Sequence, residues 1–354
     1  MRVVVAMSGG VDSSVAASVL AGEGHDVVGL SMQLYDQRDG AETFGSCCSL
    51  DDLYDARRVA AAIGIPHYIV NFEREFQRTV VENFVGEYAA GRTPIPCVHC
   101  NADLKFSVLL ERAIGFQADA VATGHYARVQ FDEDTRRYRL LRGADSDKDQ
   151  SYFLFSLTQR QLAHAMFPIG HLTKARVREE AHRLGLSVAD KPDSHEICFV
   201  PDGDAAGFVE RRLQAPVVDG EIVDTSGHTL GRHRGVHRYT VGQRKGLGIS
   251  GTIPLYVLKI DATDQRLTVG PREDLGRASF SAASMNWISG NAPDGPTRVT
   301  ARIRHRHADA AATVVADASG RAQIDFDTPQ LAITPGQAVV LYDGDEVVGG
   351  GWID

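Results

Sequence analysis

Along the first ~130 residues, short β-branched runs alternate with stretches of helical period, the pattern of a parallel sheet covered by helices. Val3–Met7 is such a run and stops at Ser8-Gly9-Gly10. A helix is predicted from about Ser13 to Leu20, with Gly22 and Gly24 as stop signals. Val27–Leu34 is the next strand candidate. Ser49-x-x-Asp52 reads as a capping box opening a helix to Ile63, with Gly64 just past its end. His67–Asn71 predicts a third strand, Glu73–Ala90 a long amphipathic helix, and Asn101 the cap of a helix reaching Ile114. Ala118–Thr123 completes the series as a buried strand. Beyond Gly124 the pattern changes: Tyr126–Leu141 predicts a hairpin turning at Asp132–Arg137, and helical stretches return at Ser151–Met166 and at Thr173–Leu184, the latter capped by Thr173. After Pro201 short β-rich runs with Gly/Asp turns dominate, and alternation in Thr297–Arg304 and Ala338–Tyr342 predicts a small β-barrel. These shifts place boundaries near 200 and 276: an α/β unit over 1–200, a small central unit over 201–275 and a barrel over 276–354.

Composition narrows the class. A hydrophobic content of 43% is enough for buried cores and excludes a disordered or fibrous chain. No run approaches the ~20 apolar residues of a membrane span, and the N-terminus lacks a signal-peptide pattern. Five cysteines, as Cys47-Cys48, Cys97-x-x-Cys100 and Cys198, are poor material for a secreted disulfide framework. A soluble cytoplasmic protein is expected. A formal charge of −9 excludes indiscriminate coating of nucleic acid but leaves room for local basic patches. Thr225–Ile260 and Arg298–Arg306 contain no acidic residue, and the latter holds Arg298, Arg302, Arg304 and Arg306. On one strand, Arg302, Arg304 and Arg306 would share a face.

The first chemistry lies in Ser8-Gly9-Gly10-Val11-Asp12-Ser13-Ser14, between strand and helix. Glycines admit an anion close to backbone N–H groups, the helix N-terminus adds its dipole, and Asp12 is placed to hold Mg²⁺ against phosphates. The lysine of G-x-x-x-x-G-K-[ST] is absent. The string resembles the pyrophosphate loop of ATP pyrophosphatases, which cleave ATP between the α and β phosphates and adenylate a substrate oxygen.

The second chemistry is thiol. Cys100, placed just before a cap at Asn101, would have its pKa lowered by the helix dipole. Cys198 lies in Asp193-Ser194-His195-Glu196-Ile197-Cys198-Phe199 and is either an inert packed cysteine or a partner thiol. Two such thiols can carry sulfur as a persulfide and discharge it by forming a disulfide. Cys97 and Cys100 alone lack the second pair that zinc wants. Cys47-Cys48 read as packing or loop residues.

With loop and thiols in hand, the chain resembles the bacterial-type tRNA-specific 2-thiouridylases over essentially its full length. The strings are AMSGGVDSS, CCSLDD, GRTPxPCxxCN, ATGHYAR, KDQSYFL, KPDSxEICF and YTVGQRKGLG, with IRHR and PGQ near the end. The resemblance implies a nucleotide-binding α/β domain, a small central domain and a C-terminal barrel that helps grip tRNA. It implies ATP contacts from Ala6, Met7, Ser8, Gly9, Gly10, Val11, Asp12, Ser13, Met32 and Gly124. It implies tRNA contacts from His125, Lys148, Asp149, Gln150, Arg304, His305 and Gln337. Cys198 would accept persulfide sulfur from a donor protein, Cys100 would be the second catalytic thiol, and the wobble uridine of the anticodon loop would be adenylated at its C2 oxygen and thiolated. Two departures stand out: Ile95 replaces an Asn in the family's GRTPNP, and Cys97 stands where some members carry Asp. Cys97, Cys100 and Cys198 would also suit a [4Fe–4S] cluster with one open position, so persulfide relay and cluster-assisted transfer are both carried forward. An amidating ATP ligase, which would leave both thiols without a role, and an RNA-binding module with a vestigial nucleotide site are the competing readings.

Overall fold

The computed structural model describes residues 1–35, 50–193, 197–200, 202–214, 216–249 and 253–354. Cys47, Cys48 and the Ser49 cap lie outside the described residues.

The N-terminal sheet has five parallel strands in the order β3-β2-β1-β4-β7. They are β1 (Arg2–Ala6), β2 (Asp26–Gln33), β3 (His67–Asn71), β4 (Ala120–Ala122) and β7 (Ala165–Met166). Period-two alternation sends β1 side chains to two cores. Val3 and Val5 pack with α1 (Val11–Gly22), α2 (Leu50–Ile63) and Val177 and Ala181 of a later helix. Val4 faces Phe76, Phe84, Leu104 and Phe106 on the other side. Both faces are thus covered, as a parallel sheet requires.

The helix over residues 73–89, α3, forms as expected but contains π-type turns at Gln77–Val81. The next helix corrects the sequence reading. It begins at Pro96 and runs without a break to Gly115, as Pro96–His99, the π-type segment Cys100–Val108 and Leu109–Gly115; this is α4. Proline at the first helical position loses no hydrogen bond and sets φ for the helix, so nucleation falls before Asn101. Asn101 is therefore no cap. It is 2% exposed, donates to the Phe153 carbonyl at 3.1 Å and accepts from Lys105 at 2.9 Å. Cys97 lies in the first turn and Cys100 just beyond it.

The expected hairpin is β5 (Ala127–Asp132) and β6 (Arg137–Arg142). Ser151–Met166 is not a long helix: it holds a 3-10 turn at Ser151–Phe153, the four-residue α5 (Gln159–Leu162) and β7. Thr158 caps α5 and strand pairing to β4 takes the remainder. Thr173 caps α6 (Lys174–Arg183) as expected, accepting from the Arg176 N–H.

After α7 (Ala205–Glu210), a four-stranded sheet is built from β8 (Asp219–Val223), β9 (Thr229–Arg234), β10 (Tyr256–Asp261) and β11 (Arg266–Gly270), ordered β10-β11-β8-β9. The last six strands are β12 (Gly276–Trp287), β13 (Thr297–Arg302), β14 (Ala310–Ala316), β15 (Ala322–Leu331), β16 (Ala338–Asp343) and β17 (Glu346–Ile353). Pairing of β12 with β17 closes them into a barrel. The fold class is therefore the expected one: a parallel α/β sheet, a small central β unit and a C-terminal β-barrel.

Two contacts join these parts. β6 adds to the start of β17 through Leu141 opposite Glu346, so Val340, Tyr342 and Val347 share a core with Val4 and Val121. Thr93 meets both β units. Its N–H donates to Pro335 O at 2.9 Å, its hydroxyl to Thr240 at 3.2 Å, and its carbonyl accepts from Gln337 at 2.9 Å. The neighbouring glycine, Gly336 (φ +84°), is forced, because a Cβ there would lie 2.9 Å from Thr93 N.

Candidate functional site

Strand order reverses at β1, which has β2 on one side and β4 on the other. In open α/β sheets the crevice at such a switch point receives ligands. The loops leaving β1 and β4 here are Met7–Gly10 and Thr123–His125. Gly10 begins α1 without any side-chain cap, so the first N–H groups of the helix point into the crevice with the positive end of its dipole. The serines brace the loop: Ser8 N–H donates to Ser13 Oγ at 3.2 Å, and Ser14 Oγ to the Gly10 carbonyl at 2.8 Å. Two glycines make the fit possible. Gly9 has φ +75°, and a Cβ on it would sit 2.2 Å from the Asp52 carbonyl; one on Gly124 would sit 2.5 Å from Ser13 N. Gly124 is thus required by packing against α1, whatever the ligand. Met32 lies buried on β2, and Ala6 and Met7 lead into the loop.

The loop carboxylate is the hub of an ionic network. Asp12 accepts from Tyr126 Oη at 2.8 Å and from Lys174 Nζ at 2.8 and 2.9 Å. Burial, then the adjacent Asp12, pushes the Tyr126 phenol far up, so it stays a donor. Lys174 also meets Asp193 Oδ1 at 2.7 Å, and Lys148 meets Asp193 Oδ2 at 2.8 Å. Burial works against charge on Asp193, but hydrogen bonds from Lys148 and Lys174 outweigh it and bring its carboxyl down to about 2. Lys191 spans Gly9 O (3.0 Å), Asp52 (2.5 Å) and Asp55 (2.6 Å). Burial opposes its charge, yet those carboxylates raise its pKa. No local pattern in the sequence marks Lys174, Lys191, Asp193 or Tyr126 for this network; the one signal is that Tyr126 lies in ATGHYAR and Lys191 and Asp193 in KPDSxEICF.

The thiols sit on the opposite side of the sheet from α1. Cys100 and Cys198 are half-buried and pack against one hydrophobic core, while Cys97 is exposed. Phe199, next to Cys198, makes edge contacts with Phe76 and Phe84 at 5.5 and 5.1 Å. Among the described residues no group of three or more Cys, His, Asp or Glu side chains could hold a metal ion. His99 stacks on Trp352 of the barrel at 4.9 Å and 3°, beside a cavity of about 450 Å³ lined also by Asn83, Arg92 and Pro94.

The remaining candidates fall in three places. Lys148–Gln150 and Arg304–His305 come together: His305 Nε2 lies 3.1 Å from the Asp149 carbonyl, with its ring 4.5 Å from that of Phe153. Asp149 is 3% exposed and its carboxylate is spent internally, on the N–H groups of Gly143 and Ser151 and on Arg302. Gln150 Oε1 accepts from the Tyr126 N–H at 3.0 Å. His125 is half-buried near the loop, bonded to Thr123 Oγ1 at 2.7 Å; burial, with Lys105 adding, keeps its imidazole neutral. Gln337 is apart, on Thr93. The expected strand face of three arginines does not exist. β13 ends at Arg302, which turns inward to Asp149 and Asp309, and Arg304 and Arg306 lie in the following turn. Neutralising a buried carboxylate decided Arg302's direction.

Comparison with known proteins gives a consistent result. Residues 1–202 match the tRNA methyl transferase HUP domain family, 206–271 the tRNA methyl transferase PRC-barrel domain, and 277–353 the aminomethyltransferase beta-barrel domain. A protein of Solibacter usitatus named tRNA-specific 2-thiouridylase MnmA is 53% identical, over 99% of this chain and 99% of its own. One of the same name from Geotalea uraniireducens is 53% identical, over 100% and 95%. A third, from Acetivibrio thermocellus, is 46% identical, over 99% of each. Among the described residues no helix is long and apolar enough to cross a membrane.

Proposed function

The chain belongs to the tRNA-specific 2-thiouridylase family, and from that premise we propose that it adenylates the C2 oxygen of the wobble uridine in a tRNA anticodon and replaces it with sulfur. The observation that carries the reading is the tie between two chemistries. Lys191, from the segment leading to Cys198, bonds the Gly9 carbonyl of the phosphate loop at 3.0 Å, while Cys198 and Cys100 pack on one core.

Uridine C2 is a poor electrophile with a poor leaving group, so the oxygen must first be activated. ATP lies along Ala6–Ser13, Met32 and Gly124, its phosphates on the uncapped amides of α1. Asp12 is the residue that would hold the accompanying Mg²⁺, which neutralises phosphate charge. The uridine oxygen attacks the α-phosphate and pyrophosphate leaves. The anticodon loop presents its base already unpaired, which lowers the cost of extracting it. The cavity beside the His99–Trp352 stack offers room next to the helix bearing both Cys97 and Cys100. A persulfide on Cys198, loaded by a donor protein, attacks C2 through its terminal sulfur and AMP departs. Cys100 thiolate then attacks the Cys198 sulfur, forming a disulfide and releasing the thiolated base. In this reading sulfur travels by the persulfide relay.

Residues 1–200 form the catalytic unit in this reading, while 201–275 and the barrel at 276–354 grip tRNA. His125, Lys148 and Gln150, the Arg304–His305 turn and Gln337 mark its path. The reading assigns the work to the cytoplasm, the compartment suited to reduced thiols acting on tRNA. The test incubates the protein with ATP, Mg²⁺, a persulfide donor and unmodified tRNA, then analyses digested nucleosides by mass spectrometry. We expect 2-thiouridine from the native chain and none from Cys198→Ala or Cys100→Ala. Undiminished product from both variants would overturn the relay.

A further inference from the structure

A triphosphate needs a mobile cation, and the loop itself supplies none. Two lysines reach it from distant segments, and their partners separate them. Lys191 spends its three ammonium donors on Gly9 O, Asp52 and Asp55, so it is a fixed brace of the loop. Lys174 is differently placed. It is the first residue of α6, its backbone N–H is pinned by Asp145 at 2.8 Å, and its side chain is 12% exposed. Its Nζ bonds both oxygens of Asp12, the carboxylate in the first turn of α1 next to the loop, and one oxygen of Asp193. Asp193 has other cations, Lys148 at 2.8 Å and Arg178 at 3.4 Å, so it does not depend on Lys174 for charge balance.

We propose that Lys174 is the phosphate-binding lysine of this enzyme: it keeps Asp193 and transfers its two Asp12 bonds to the β- and γ-phosphate oxygens when Mg²⁺ takes over Asp12. The inference rests on the ATP reading above and names the residue that serves the leaving pyrophosphate. An ammonium group rotates its donors freely, so the exchange needs only a short swing about an anchored backbone. It also explains why a lysine is held inward against two carboxylates rather than left at the surface.

The experiment is calorimetric titration of the full chain, with Mg²⁺ and without tRNA, by α,β-methylene-ATP and separately by AMP. AMP lacks the phosphates in question and reports on the integrity of the rest of the site. Lys174→Gln keeps donors for Asp12 and Asp193 but removes the charge; it is expected to weaken the triphosphate analogue by roughly 10- to 30-fold while AMP stays within about 2-fold. Lys174→Arg, which keeps charge and ion pairs and so guards against loss of the fold, is expected to retain the triphosphate preference within about 3-fold. A wild-type ratio of the two affinities in Lys174→Gln, whether both hold or both fall together, would overturn the proposal. A native chain that binds neither nucleotide would instead overturn the ATP reading, and the proposal with it.

Discussion

Substituting Gly9 by alanine tests how tightly the phosphate loop is set against α2. Two costs apply. At φ +75° an L-residue is strained, at about 1–2 kcal/mol. The new Cβ would also lie 2.2 Å from the Asp52 carbonyl, a backbone atom that cannot rotate away, and relief of such overpacking costs about 1–3 kcal/mol. The sum is roughly 2–5 kcal/mol. Gly24 provides the control, because it has φ +83° and nothing within 4 Å, so Gly24→Ala carries only the first cost. The difference between the variants isolates the steric part. At a slope of about 2 kcal/mol per M urea it should lower the unfolding midpoint of Gly9→Ala by roughly 0.5–1.5 M relative to Gly24→Ala. The probe must be far-UV circular dichroism, since the two tryptophans, Trp287 and Trp352, both lie in the barrel. ATP affinity should fall in Gly9→Ala alone, because displacing Asp52 also disturbs Lys191, which bonds both residues. Equal midpoints would show that α2 yields freely and would refute the reasoning.

Three further outcomes are expected. Asp149→Ala leaves the buried N–H groups of Gly143 and Ser151 without their acceptor, while Arg142 and Arg302 keep Asp309, and should cost about 1–3 kcal/mol for each stranded donor, read as a lowered melting temperature with ATP affinity retained. The Asp193 carboxyl is held down to about 2, so its stabilisation is full above the ordinary aspartate range and disappears as pH falls through that range toward about 2. Asp193→Asn should accordingly flatten acid unfolding in that window and leave the alkaline side unchanged. His99→Ala removes the parallel contact with Trp352, and a loss of about 0.5–1.5 kcal/mol should appear in the tryptophan-detected urea transition with red-shifted emission.

The elements that were legible in the sequence are those whose local signals agree with their packing. β1 with its glycine loop, α6 with its threonine cap and the β5–β6 hairpin all carry their own boundaries. Failures came where a distant partner decided. Asn101 looked like a cap but is claimed by Phe153 and Lys105, and Pro96 starts the helix earlier. Residues 151–166 have helical periodicity, but pairing with β4 draws Ala165–Met166 into the sheet. Arg302 belongs to a basic run, and the buried Asp149, far away in sequence, turns it inward. The site divides the same way. The loop and the thiols stand out by composition, whereas Lys174 and Lys191 are ordinary lysines until folding brings them to Asp12 and Gly9.

The seam between β6 and β17 bears on how the chain is made. Leu141 waits for Glu346, about 200 residues later, and at about 5–20 residues per second that is roughly 10–40 s of synthesis. Throughout that interval the hairpin presents an open strand edge, and the core around Val4 and Val121 lacks Val340, Tyr342 and Val347. A ribosome-bound chain stalled before the barrel would hold a nucleotide unit with an unfinished apolar wall, a natural client for chaperones. The barrel thus acts as the closing piece of the α/β unit's own interior, and pulse proteolysis of stalled nascent chains should find protection arriving only once β17 has emerged.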